Sequence, residues 1–240
     1  MAVQTRRRTA VTSATEARGT DLAVLRISSR NYSSWSMRGW LLCRMAGIDF
    51  EEEVVSPDDP TSRAELLLQS SSILIPALRH AGAELWDTLA IAEYLAELRP
   101  EARMLPEERV ARARCRAISG EMHAGFAALR STLPMNLRAF VPNFTLWSGA
   151  RADIERIRWI WTDCLERWGG PWLLGAERCI ADAMYAPVVT RFRTYDVALD
   201  EACEGYARTI LAWPDVAEWI GAAKREPEAR IVELDREAEF

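Results

Sequence analysis

A proline at the start of a strand, eleven residues ahead of a helix that opens on an acid and a threonine, restricts the possible folds of this chain more than any other feature. The segment reads Ser71-Ser72-Ile73-Leu74-Ile75-Pro76-Ala77-Leu78, and Trp86-Asp87-Thr88-Leu89-Ala90-Ile91-Ala92-Glu93-Tyr94-Leu95 follows closely. Proline has no N–H and cannot sit inside a central strand, so Pro76 marks an edge or a bend. Residues 73–79 and 84–86 are predicted to form two strands joined by a tight loop containing Gly82, a hairpin. Asp87-Thr88 then starts a helix with Leu89, Ala92, Leu95 and Leu98 on one face, halted at Pro100. Such a start serves equally as a plain N-cap and as an anion site, because its unpaired N–H groups and positive dipole end favour both.

The surrounding pattern extends this reading in both directions. Residues 22–27 are predicted as a strand, followed by a polar cluster from Ser28 to Ser34. Met37, Trp40, Leu41 and Met45 then recur at helical spacing, with Gly47 as the stop signal. Residues 50–55 give a second strand and 61–69 a second helix. After Pro100 and a linker with Met104-Leu105-Pro106, only helical patterns remain, over 107–130, 150–168, 180–194, 198–211 and 215–224. The expected architecture is α/β plus all-α, with an α/β domain over 21–100 and an all-helical domain over 107–235. Within the helical part, Gly170-Pro171-Trp172-Leu173-Leu174-Gly175 precedes Cys179-Ile180-Ala181-Asp182, which has capping-box spacing. Cysteine is a weak hydrogen-bonding partner, so the bond at Cys179 is expected to be poor.

Composition removes several function classes. A net charge of −5 with no basic, aromatic-interleaved stretch argues against nucleic acid as a partner. No apolar run approaches the ~20 residues needed to cross a bilayer, so no membrane partner is expected. Five scattered cysteines without a CxxC pair predict reduced thiols and a cytoplasmic location. His80 and His123, the only histidines, lack metal-ligand spacing, so no metal is expected. Residues 1–20, with Arg6, Arg7 and Arg8 among Ser and Thr, superficially resemble a transit peptide and are expected to form a disordered extension.

The two motif regions, in this order and at this separation, resemble the glutathione transferase family, in particular its serine-type bacterial, zeta- or theta-like members. The resemblance implies a thioredoxin-like N-terminal domain that binds glutathione as co-substrate. It also implies a helical C-terminal domain that shapes a pocket for a small hydrophobic electrophile. Pro76 would be cis and turn the backbone of Ile75 toward the tripeptide, while Asp87 and Thr88 would hold its γ-glutamyl carboxylate. The catalytic residue would come from the loop Asn31-Tyr32-Ser33-Ser34-Trp35-Ser36. A hydroxyl donated to sulfur favours thiolate over thiol. Counting back from the first helix points to Ser33, with Asn31, Tyr32 and Ser34 still open. The loop contains no cysteine, which disfavours thiol exchange.

Met122, His123 and Phe126 fall where the family builds its substrate pocket, although helix packing explains the Met and Phe as well. Leu74 occupies a position where relatives often place a lysine or arginine for the glycyl carboxylate. The expected activity is conjugation of the glutathione thiolate to an apolar electrophile, by a cytoplasmic homodimer. The alternatives are glutathione-dependent cis–trans isomerisation or peroxide reduction at the same site, and a non-catalytic interaction scaffold.

Overall fold

The computed structural model describes residues 22–55 and 74–227. The tail expected over 1–20, the helix expected over 61–69 and Ile73 lie outside the described residues. Strand β1 (Ala23–Ile27) leads through helix α1 (Ser34–Ala46) to β2 (Phe50–Val54), which lies parallel to β1. Gly47 ends α1 at φ 64°, the left-handed cap that its position predicts. Strand β3 (Ala77–His80) runs antiparallel to β1 and pairs with β4 (Ala83–Trp86), giving the order β2-β1-β3-β4. The two turn residues between β3 and β4, Ala81 and Gly82, both have positive φ, as a two-residue turn with the twist of its strands requires.

Helix α2 (Thr88–Leu98) follows directly, capped by Asp87. From there the described chain is helical: α3 (Arg109–Ala124), α4 (Ala127–Thr132), α5 (Ser148–Trp168), α6 (Ile180–Thr194), α7 (Glu201–Ala212) and α8 (Pro214–Lys224). The single helix expected over 107–130 is instead two. Gly125 is extended, with its α-carbon hydrogen where a Cβ would sit 2.7 Å from the Glu121 carbonyl oxygen. Phe126 then turns through φ 58° and drops into the core.

The apolar faces meet in one continuous core. Leu25, Ile27, Met37, Leu41, Leu78, Ile91 and Leu95 fill the sheet side, and Trp161 packs on Tyr185, Phe192 and Tyr206 among the helices. The capping box at the start of α6 is present. Asp182, fully buried, accepts from Cys179 N at 2.8 Å, Leu173 N at 3.1 Å and the Tyr206 hydroxyl at 3.1 Å. Burial pushes its carboxyl above the usual range.

Polar side chains cross between the halves in both directions. Arg38 of α1 is fully buried and donates from Nε to the Met184 carbonyl at 2.8 Å. Arg191 of α6 donates from Nη2 to Ser34 Oγ at 3.1 Å and from Nε to the Leu133 carbonyl at 2.8 Å. Beyond α8, Glu226 reaches back to the loop after β1. Its carboxylate accepts from Ser29 Oγ at 2.8 Å, Arg30 N at 2.7 Å and Asn31 N at 3.1 Å.

Candidate functional site

Three chain features that the sequence singles out converge at one end of the sheet. The first is the start of α1. Ser33 is its N-cap: Ser33 Oγ accepts from Ser36 N at 3.2 Å and lies 2.8 Å from Ser36 Oγ. The cap satisfies one of the orphan donors at the helix start and leaves Ser33 half-buried. Its neighbours have other tasks. Asn31 is fully buried, donating to Asn136 Oδ1 at 3.0 Å and accepting from Arg138 N at 3.1 Å, so it ties the loop to the helical half. Ser34 is buried against Arg191.

The second feature is the Ile75–Pro76 peptide bond, which is cis. Pro76 packs against α1 at Gly39, where an added Cβ would meet the Pro76 ring at 2.7 Å. Gly39 is therefore the residue that lets the helix approach this strand edge. Ile75 is half-buried beside it, and Leu74 is 58% exposed.

The third feature is the start of α2. Asp87 sits at φ 106°, ψ 128°, a region that non-glycine residues rarely adopt. Its Oδ1 accepts from Leu89 N at 2.8 Å and Ala90 N at 3.3 Å, which holds the carboxylate over the helix start. Thr88 is buried. His123, near the end of α3, reaches both: Nε2 lies 2.8 Å from Asp87 Oδ2 and Nδ1 lies 3.3 Å from Thr88 Oγ1. The two residues predicted beside it behave differently. Met122 has no exposed surface and Phe126 is 7% exposed, both within the core cluster. They are packing residues, placed inward by the helix period and by the break at Gly125, and they do not form an open pocket wall.

Residues that the sequence reading left out gather positive charge beside the start of α1. The Trp35 ring is flanked by the guanidiniums of Arg38 at 4.7 Å and Arg130 at 5.6 Å, and meets the His123 ring edge-on at 5.1 Å. Such contacts stabilise a guanidinium on an aromatic face. Arg38 Nη2 is buried without a hydrogen-bond acceptor. Burial, then the neighbouring Arg191 and Arg130 charges, hold the Arg38 pKa well below its ordinary value. Burial and Arg130 likewise lower Arg191 to about 10. No ion pair to a carboxylate is formed by Arg38, Arg130 or Arg191 among the described residues. In sequence these arginines look like any solvated helix arginine; only Arg38, falling on the buried face that carries Met37 and Leu41, offered a signal.

Among the described residues, no group of three or more His, Cys, Asp or Glu side chains could hold a metal ion. No helix among them is long and apolar enough to cross a membrane.

Comparison with known proteins agrees with this geometry. Residues 32–98 match the family model for the glutathione S-transferase N-terminal domain. The chain is 28% identical to maleylacetoacetate isomerase of Rattus norvegicus over 179 residues, covering 71% of this chain and 78% of that protein. Against a probable maleylacetoacetate isomerase of Caenorhabditis elegans it is 27% identical over 108 residues, covering 45% of this chain and 50% of that protein. Among solved structures, it resembles a glutathione transferase homolog from Burkholderia with bound glutathione. That likeness has a TM-score of 0.65 at 22% identity over 85% of this chain and 98% of that one. A theta class glutathione S-transferase from Xanthomonas axonopodis, also with glutathione bound, gives 0.59 at 17% identity over 83% and 97%. With the four-stranded sheet followed by the helical half, the chain has the glutathione transferase fold, and its residues 32–98 match that family's N-terminal domain.

Proposed function

We propose that this protein is a glutathione-dependent isomerase: the thiolate adds to an activated cis double bond, the carbon–carbon bond rotates, and the thiolate leaves again. The observation that carries the thiolate half of this reading is the charge gathered at the start of α1. A helix N-terminus meets three guanidiniums with no carboxylate partner among the described residues, Arg38 and Arg130 on the Trp35 ring and Arg191 on Ser34. A positive environment stabilises thiolate relative to thiol and so raises the nucleophile available near neutral pH. Ser33 donates its hydroxyl to the sulfur in this reading, in exchange for its contact with Ser36 Oγ. The backbone N–H of Thr88 at the start of α2 holds the γ-glutamyl carboxylate, and the backbone of Ile75 pairs with the extended tripeptide beside Pro76.

The same chemistry stopped after addition is conjugation, the transferase outcome. The similarity to maleylacetoacetate isomerases supports reversible addition over net conjugation. In isomerisation glutathione is returned after each turnover. A cis enone mixed with protein and a tenth of an equivalent of glutathione, followed by proton NMR, separates the two. Full conversion to the trans isomer with glutathione intact supports isomerisation. Conversion that stops at one adduct per glutathione supports transfer, and no reaction beyond the protein-free rate rejects both. A cytoplasmic homodimer belongs to this reading, and light scattering at about one chain mass would remove the dimer from it.

A further inference from the structure

We infer that His123 is a positioning residue for glutathione: from the helical half it fixes which way the Thr88 hydroxyl points and holds Asp87 in its strained conformation. The inference rests on the reading of the α2 start as the γ-glutamyl end of the site. One imidazole contacts both residues of that start, with Nε2 2.8 Å from Asp87 Oδ2 and Nδ1 3.3 Å from Thr88 Oγ1. The carboxylate accepts only, so Nε2 carries the proton that it donates to Asp87. In the neutral ring Nδ1 is then an acceptor, and the Thr88 hydroxyl donates to it. The hydroxyl proton is thereby committed to His123, which leaves Oγ1 with acceptor capacity only. Thr88 presents ligand with an acceptor, suited to the ammonium of the γ-glutamyl group, while its backbone N–H remains for the carboxylate.

Asp87 gives the second half of the argument. Its φ of 106° is strained for a residue with a Cβ, and such a conformation persists only where the surroundings over-determine it. Oδ1 is anchored by Leu89 N and Ala90 N, both on its own helix. Oδ2 is held from the other half of the molecule by His123. The ring is itself held in place, edge-on to Trp35 at 5.1 Å, with its backbone carbonyl accepting from Arg130 Nη1 at 3.2 Å. The positioning chain therefore runs from α3 through His123 to the start of α2.

Glutathione titration and steady-state kinetics of the full chain test this with His123→Ala and His123→Gln. Glutamine carries an adjacent donor and acceptor on a planar group and can replace either contact. His123→Ala is expected to weaken glutathione binding about tenfold, the equivalent of one hydrogen bond to a charged group. The loss should appear in KM for glutathione rather than in kcat, and His123→Gln should recover most of it. A purely structural histidine would instead lower the melting temperature without this split or rescue. Unchanged affinity in His123→Ala, or a loss confined to kcat, overturns the inference while the reading of the site stands. Wild-type protein that fails to bind millimolar glutathione overturns the reading itself, and the inference with it.

Discussion

Replacing Glu226 with alanine should loosen the loop that leads into α1, and the size of the effect can be worked from its contacts. One carboxylate accepts three hydrogen bonds from that loop, from Ser29 Oγ, Arg30 N and Asn31 N, at 2.7–3.1 Å. A hydrogen bond to a charged group contributes roughly 1.5–3 kcal/mol when buried. Glu226 is only half-buried and water can replace part of each bond, so the sum must be discounted strongly. About 2–3 kcal/mol is a reasonable expectation for Glu226→Ala, with Glu226→Gln losing roughly half of that because one acceptor remains. For a chain of this size such a loss lowers the melting temperature by about 4–12 °C. The loop carries Ser33, whose backbone N–H donates to the Ser29 carbonyl at 3.0 Å, so turnover should fall along with stability. Urea unfolding at constant m-value, beside the isomerisation assay, measures both. A loss under about 0.5 kcal/mol would refute the hydrogen-bond reasoning. Full stability loss with unchanged turnover would refute the link from the loop to Ser33.

Three further outcomes are expected. Arg130→Gln removes a half-exposed charge beside Trp35 and should raise the thiol pKa of bound glutathione by about half a unit, read from thiolate absorbance against pH; no change would exclude Arg130 from thiolate stabilisation. Gly39→Ala drives a Cβ to 2.7 Å from the rigid Pro76 ring and should cost about 1–3 kcal/mol while weakening glutathione binding, whereas normal affinity would mean that the strand edge yields freely. Asp182→Ala strands three buried donors and should cost about 3–5 kcal/mol. Because burial raises the Asp182 pKa above 3.8, the native state binds that proton more tightly than the unfolded chain does. Its contribution is therefore fullest below the unfolded value and declines as pH rises through the native one, a slope that Asp182→Asn should abolish in unfolding curves taken at stepped pH.

The fold was readable because its signals are local. Gly47 at a left-handed cap, Asp87 at a helix start and Cys179 three residues before Asp182 each state a backbone conformation through residue chemistry alone. The break at Gly125 was missed because the apolar period runs on through Phe126, and a glycine inside a helical pattern is ordinarily tolerated. The site was legible only in part, for a different reason. Ser33, Pro76, Asp87 and Thr88 belong to short motifs, but the groups that set their electrostatics arrive from far along the chain. Nothing in their spacing announces that Arg38 and Arg130 flank Trp35 while Arg191 reaches the neighbouring Ser34, since helical arginines are usually solvated. Met122 illustrates the converse: a helix period that reads as a pocket wall equally describes a side chain with no exposed surface.

The exchange of arginines between the halves has a consequence for how the molecule comes apart. Arg38 leaves the sheet side to bind the Met184 carbonyl, and Arg191 leaves the helical side to bind Ser34. Parting the halves while each stays folded would break both bonds, and would leave the Met184 carbonyl and the Ser34 hydroxyl to find solvent partners. Neither half gains a state in which its own core is intact and its polar groups are already answered. Heating should accordingly produce one calorimetric peak rather than two, and glutathione, if held in the sheet half as proposed, should delay the melting of the helices as much as that of the strands.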